Sequence, residues 1–187
     1  MTEDRFQPAT VEDWQAWLVE HHGTDSGVWL VTWKKHTGWS TVSYDDAVTE
    51  ALAVGWIDSL GRKLDEDRTM LYFSPRKPTS AWSRPNKIRV ERLHAENRML
   101  PAGRAAIDAA KANGAWTLLD DVENLVVPED LAAAFAGHAG SREQWEAFPR
   151  SAKRAMLEWI VQAKRPHTRA NRIEQAAAEA AEGKRAH

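Results

Sequence analysis

Cysteine is missing from all 187 residues. That absence excludes disulfides, a thiolate nucleophile and any cysteine-based zinc or iron–sulfur site. Long apolar runs are missing too. No stretch approaches the roughly eighteen residues of a membrane helix, and the start "MTEDRFQPATVEDW" lacks the apolar segment of a secretory signal. The sequence therefore predicts a cytoplasmic protein without membrane insertion. Neither sign of charge dominates: the formal net charge is -2 and the pI about 6.4, which argues against a surface built throughout for nucleic acid or anionic lipid. Any such role would be local.

Several chemical signatures are also absent. Neither G-x-x-x-x-G-K-[ST] nor G-x-G-x-x-G occurs, so a phosphate-loop or dinucleotide fold of those kinds is not expected. The seven histidines, His21, His22, His36, His94, His138, His167 and His187, include no i, i+4 pair flanking a carboxylate. No metal site and no cofactor is expected. Ser74 and Lys77 have the S-x-x-K spacing of penicillin-binding enzymes, but Pro75 and Pro78 oppose the helix start that motif requires, and its K-T-G partner is missing.

What the sequence does have is tryptophan, ten copies against two tyrosines and four phenylalanines. So wide a ring is retained where it fills a core or stacks on a partner. The first half alternates helix and strand signals. "TVEDWQAWLVEHH" offers Thr10 as N-cap with Asp13 at the third helical position, and Val11, Trp14, Trp17 and Leu18 at helical spacing. "VWLVTW" reads as a central strand ending at Lys34 and Lys35. "SYDDAVTEALAVG" predicts a second helix capped by Ser43 and Asp46, with Tyr44, Ala47, Val48 and Ala51 on its apolar face and Gly55 ending it. "WIDSLGRKL" and "TMLYFSP", joined by "DEDR", read as a hairpin.

Beyond the hairpin, helices dominate. One is expected from Ser83 to about Arg98 and another from Pro101 to about Asn113. The acidic run "LLDDVENLVVPED" reads as a connecting segment. Ser141 with Gln144 forms a capping-box pattern, and two further helical faces flank Pro166. The expected fold is α+β: a small antiparallel or mixed sheet packed by helices in residues 1–118, followed by a helical C-terminal region, 119–187, that packs on the core or merges with it into a single domain.

The stretches "VWLVTWKK", "YDDAVTEALAVGWIDS", "FSPRKPTSAWSRPNK", "LPAGRAAID", "EWIVQAK" and "TRANRIE", in that order, resemble the YdeI/OmpD-associated, or bacteriocin-protection, family. The resemblance extends over nearly the whole chain and is most specific in "GWIDS" and "PRKPTSAWS". It implies a small bacterial stress or resistance protein connected with protection from bacteriocins or cationic antimicrobial peptides. It implies no particular reaction or ligand.

Two groups of residues suggest chemistry. Asp58 follows apolar Trp56 and Ile57, and a carboxylate screened from water needs a partner. Lys34, Lys35 and Arg76 are the candidates, because strand ends come together in a sheet. This is either a structural ion pair or a general acid/base and ligand anchor. The loop "PRKPTSAWSRPNK" has four cations, three prolines and no acid. Its prolines restrict the backbone, and Ser83 and Asn86 sit where the following helix begins, a place that attracts anions. The sequence therefore predicts a basic, Trp-lined site for an anionic small molecule, using Lys34, Lys35, Trp56, Arg76, Trp82, Ser83 and Asn86. An enzyme acting on an anionic small molecule through Asp58 is one alternative. The other is nucleic-acid or partner binding through Arg150, Lys153, Arg154, Lys164, Arg165, Arg169 and Arg172, opposed in the local sequence only by Glu158. Oligomeric state is not encoded in any motif found.

Overall fold

The computed structural model describes residues 4–39 and 41–185. Among these residues the chain is α+β, with one small mixed four-stranded sheet and helices that fill the C-terminal half. The chain folds as two compact units: residues 1–80 with 85–116, and residues 81–84 with 117–187.

The first unit contains β1 (Arg5–Phe6), α1 (Val11–His21), β2 (Val28–Trp33), a single 3₁₀ turn at Lys35–Thr37, α2 (Tyr44–Ala53), β3 (Trp56–Lys63), β4 (Arg68–Pro75), nearly all of α3 (Arg84–Ala95) and α4 (Pro101–Ala112). Strand order is β1-β2-β4-β3, with β1 parallel to β2 and the other pairs antiparallel. The expected capping box starts α1: Thr10 Oγ1 accepts from Asp13 N at 3.1 Å, while Asp13 accepts from Thr10 N at 3.0 Å. Period-two alternation sends Val28 and Leu30 to the face that meets α1, where Trp14 lies 5.3 Å from Phe73. Trp29, Val31 and Met70 form a smaller buried cluster on the opposite face, flanked by Leu64 and Tyr72, with the Arg62 guanidinium 4.8 Å above the Trp29 ring.

Helix α2 is buried along most of its length and packs against α1, β3 and α4. Gly55 ends it at φ 79°, a left-handed conformation that favours glycine. At Gly103 a Cβ would come within 2.4 Å of Ala53 O, so the close approach of α4 to the end of α2 requires a residue without one. Two expectations change here. Helix α3 stops at Ala95, three residues short of Arg98, because Asn97 turns left-handed at φ 55°. Tyr44 does not face the core; it stands 58% exposed in the first turn of α2.

The second unit contains α5 (Asp120–Glu123), α6 (Glu129–Gly137), α7 (Ser141–Ala147), α8 (Arg150–Val161) and α9 (Pro166–Ala181). Its core gathers Leu131, Phe135, Trp145, Met156, Leu157, Ile160, Ile173 and the alanines 176, 177 and 180. Those small side chains let α9 approach its neighbours closely. The capping box expected at Ser141 and Gln144 does not form. Gly140 is the N-cap, at φ 79°, and the buried Ser141 hydroxyl donates to Phe135 O at 2.9 Å. The acidic run is more than a connector, since it builds α5 and the first turn of α6.

Candidate functional site

The first turn of α2, the start of β3 and the end of β4 bring Tyr44, Asp58 and Arg76 into one corner of the first unit. Asp58 pairs in register with Phe73 and Trp56 with Pro75, so the antiparallel ladder sets Arg76 opposite Gly55, three residues from Asp58, and Arg76 and Asp58 are linked through the charge of their side chains. Tyr44 Oη donates to Asp58 Oδ2 at 3.0 Å. Arg76 is half-buried: its backbone N–H donates to Gly55 O at 3.0 Å and its Nη2 to Ser80 O at 3.4 Å. Desolvation pulls its guanidinium down to about 10, and the Asp58 charge opposes part of that shift. Burial, followed by the charge and hydrogen bond of Asp58, raises the Tyr44 phenol above its usual range.

Helix α3 adds cations to this corner. Arg89 lies 5.8 Å from the Tyr44 ring and pairs with Asp45 at 2.8 Å. Arg92 reaches the other Asp45 oxygen at 3.2 Å and donates to Thr49 Oγ1 at 2.7 Å. The arginine hydrogen bonds hold the Asp45 carboxyl below its usual range against the opposing effect of burial. This linked set contains three guanidiniums, of Arg76, Arg89 and Arg92, against two carboxylates, of Asp45 and Asp58. Sequence reasoning missed Tyr44, Asp45, Arg89 and Arg92. Arg89 and Arg92 have helical i, i+3 spacing, a signal that two basic groups project from one side of α3.

The other expected site residues are dispersed. Lys34 is not a partner of Asp58. Trp33 pairs with Arg68 whereas Val28 pairs with Phe73, which puts the exit of β2 about 17 Å along the sheet from Asp58. Lys34 Nζ instead donates to Asp65 O and Glu66 O, each at 2.8 Å, and so holds the hairpin turn. Lys35 is exposed in the 3₁₀ turn at that same far end. Trp56 is core: it is 1% exposed, and its Nε1 donates to His22 O at 3.2 Å. Trp82 is buried within the segment 81–84 of the second unit, and Ser83 belongs to that segment. Neither Trp56 nor Trp82 offers a ring face to solvent, which removes the expected tryptophan lining. Asn86 positions Arg89 through Oδ1, which accepts from Nη1 at 2.9 Å.

Three of the seven C-terminal cations are paired with acids, some near and some distant in sequence, while Lys164 and Arg165 stand exposed. Arg154 reaches Glu123 at 2.9 Å and Glu158 at 2.7 Å, Lys153 reaches Glu146 at 3.1 Å, and Arg169 bridges both Asp130 oxygens at 2.7 and 3.0 Å. Arg150 donates to Glu123 O, and Arg172 donates to Trp159 O while covering that ring. Glu158 is thus one of several acids opposing the cluster. Among the described residues no group of three or more His, Cys, Asp or Glu stands together as metal ligands; His187 lies outside them. None of the described helices is long and apolar enough to cross a membrane.

The class defined so far is an α+β protein whose sheet unit presents an arginine-rich corner and whose helical unit pairs Lys153, Arg154 and Arg169 with acids. Residues 6–106 match a domain of unknown function, DUF8412, and residues 124–183 match the family described as Bacteriocin-protection, YdeI or OmpD-Associated. The chain therefore belongs to the DUF8412 family, and residues 124–183 are similar to the bacteriocin-protection, YdeI or OmpD-associated family. The "GWIDS" and "PRKPTSAWS" blocks fall in the N-terminal match, so the bacteriocin-protection match covers less of the chain than the sequence resemblance does. No curated protein and no solved structure matches.

Proposed function

We propose that this protein is a small-ligand-binding stress or resistance protein that holds an anion at the Tyr44–Asp58–Arg76 corner of its sheet unit. The observation that supports this most directly is the linked set of three guanidiniums against two carboxylates around a half-exposed phenol. The carboxylates of Asp45 and Asp58 among these arginines disfavour a dianion relative to a monoanion such as a carboxylate. Arg76 is fixed by its backbone bond to Gly55 O and its contact with Ser80 O, so less side-chain entropy is lost when it engages a ligand. Its desolvated guanidinium gains more from an added negative charge than a fully hydrated one would. The cytoplasmic setting expected from the sequence, and a role in protection of the kind named by the C-terminal family, are part of the same proposal.

The test is a thermal-shift titration with acetate and, separately, inorganic phosphate. Wild type gains stability with rising acetate and less with phosphate. Arg76→Ala weakens the acetate response at least tenfold while its ligand-free midpoint stays within a few degrees of wild type. A wild-type midpoint indifferent to both anions overturns the proposal, as does an acetate response that survives Arg76→Ala.

A further inference from the structure

We infer that Asn113–Gly114 is a site of spontaneous hydrolytic modification in the folded protein, and that the change releases the turn that follows Arg76. The chain has five asparagines, and Asn113 alone precedes a glycine. That neighbour matters because the nucleophile in this chemistry is the next residue's backbone nitrogen, and the absence of a Cβ beside it leaves the side-chain carbonyl carbon open to attack. Both residues are exposed, and a Cβ at Gly114 would meet nothing within 4 Å, so the chain has room to turn there.

The step needs only water. The Gly114 nitrogen bonds to Asn113 Cγ and gives up its proton, the Cγ–Nδ2 bond breaks, and ammonia leaves. A cyclic imide remains, which water opens at either carbonyl to give an aspartyl residue or an isoaspartyl one whose main chain runs through Cγ. In the folded chain Asn113 is the C-cap of α4 at ψ 3°, which turns the Gly114 nitrogen toward Asn113's own nitrogen and away from Cβ. Ring closure therefore requires the end of α4 to open. Asn113 N donates to Ala109 O at 3.1 Å, Asn113 Nδ2 to Pro78 O at 2.9 Å, and Ala115 N to Asn113 Oδ1 at 2.9 Å. An exposed helix terminus held by so few bonds lies at the low-cost end of local opening.

The bond to Pro78 is the long-range one, and it acts as a tether. Pro78 sits in the turn closed by Ser80 N donating to Lys77 O at 2.9 Å, and Arg76, which leads into that turn, donates through Nη2 to Ser80 O at 3.4 Å. An amide donates where a carboxylate only accepts, so the modified residue loses the bond and sets a negative charge against Pro78 O. In the aspartyl product Ala115 N keeps its acceptor. The turn is freed while the helix end remains capped.

The test ages the full chain in mildly alkaline buffer, native and in urea, and follows it by peptide mass mapping and enzymatic labelling of isoaspartate. Amide hydrogen exchange at Ser80 is read in fresh protein, in aged native protein, in Asn113→Asp and, as a control in the other unit, in Asn171→Asp. Circular dichroism checks that each is folded. Native protein should convert at Asn113 well ahead of Asn86, Asn97, Asn124 and Asn171. Exchange at Ser80 should quicken about two- to tenfold in aged protein and in Asn113→Asp, the range set by losing one hydrogen bond, and should stay unchanged in Asn171→Asp. Conversion at Asn113 in urea but not in native protein overturns the inference, since the fold would then seal the site. Conversion in native protein with Ser80 exchange unaltered, in aged protein and Asn113→Asp alike, overturns the release of the turn. Neither outcome depends on whether an anion binds.

Discussion

Two arginine clusters in this molecule have opposite electrostatic designs. In the helical unit, Arg154 and Arg169 have carboxylate partners within 3.0 Å, and Lys153 has one at 3.1 Å. Glu123 is only 8% exposed and brings in Arg154 by its side chain and Arg150 by its carbonyl. At the sheet-unit corner, three guanidiniums share two carboxylates, one of which also receives a hydrogen bond from an exposed tyrosine. The first arrangement completes itself and stabilises a fold. The second joins a desolvated arginine, two ion-paired arginines and an exposed tyrosine ring, the features on which the proposed site rests. Counting cations along the chain would have ranked the two the other way, because what matters is which acids folding delivers to them.

The sharpest way to break that comparison is Glu123→Gln. The change removes the charge that Arg154 faces while keeping the side-chain shape, and it leaves a guanidinium poorly compensated in a setting intermediate between buried and exposed. A loss of about 2–4 kcal/mol is expected, below the full cost of breaking a buried pair because Arg154 is about one-third exposed. The hydrogen bond from Arg154 holds the Glu123 carboxyl below its ordinary value, against the opposing effect of burial. Its stabilising contribution is therefore complete above about pH 4.5 and is lost as pH falls through the depressed folded value. Urea unfolding from pH 7 to pH 3 should show a shallower acid decline for the variant. If the variant were as stable as wild type, the helical unit's pairs would be no more structural than those at the corner.

The sequence showed most of the scaffold and little of the corner. Thr10 with Asp13, Ser43 with Asp46, and Gly55 are local signals, and each marks a helix end where expected. The hairpin was legible from its polar turn, and β2 from its β-branched and aromatic run. Asp58 and Arg76 were visible as well, because strand ends separated by one hairpin must meet. Lys34 failed as their partner because strand order places β4 between β2 and β3, and the antiparallel register then carries Lys34 to the far end. Tyr44 was misassigned to the core because helical periodicity cannot tell that a first-turn tyrosine turns its hydroxyl toward a strand. Ser141 had the right spacing for a cap, but the carbonyl of Phe135, six residues upstream, took its hydroxyl. In each miss a partner distant in sequence or absent from the pattern overrode a local preference.

A change of intermediate size sharpens the comparison from the other side. Asp58→Asn preserves an acceptor for Tyr44 while removing the negative charge that opposes an incoming anion beside Arg76. Acetate and phosphate affinity should rise about threefold to tenfold, with phosphate gaining more, since a dianion is repelled more strongly by the carboxylate that is removed. Stability should fall by about 1 kcal/mol, between the values for exposed and buried pairs, because Asp58 and Arg76 are both only partly covered. Chemical denaturation and calorimetry on the same preparation measure both quantities. A loss above about 3 kcal/mol with unchanged anion affinity would make Asp58 and Arg76 a structural pair like those of the helical unit.

The smallest expected effect comes from Arg169→Met, and its value lies in being small. Arg169 makes a two-pronged contact with Asp130 at 2.7 and 3.0 Å, but the arginine is about one-third exposed and the acid nearly half. Solvent screening limits such a pair, so the variant should lose about 0.5–1 kcal/mol of stability. Acetate affinity should not change. The same variant examines whether the paired cations of this unit retain any attraction for phosphate backbones. With Lys153, Arg154 and Arg169 held by acids, few counterions are released, so wild type at low salt should show no salt-dependent association with duplex or single-stranded DNA, and Arg169→Met should be indistinguishable from it in fluorescence anisotropy. Measurable DNA binding by wild type that weakens steeply with salt and drops in the variant would mean that Arg169 exchanges Asp130 for phosphate, and the helical unit's pairs would then be a reserve of binding charge.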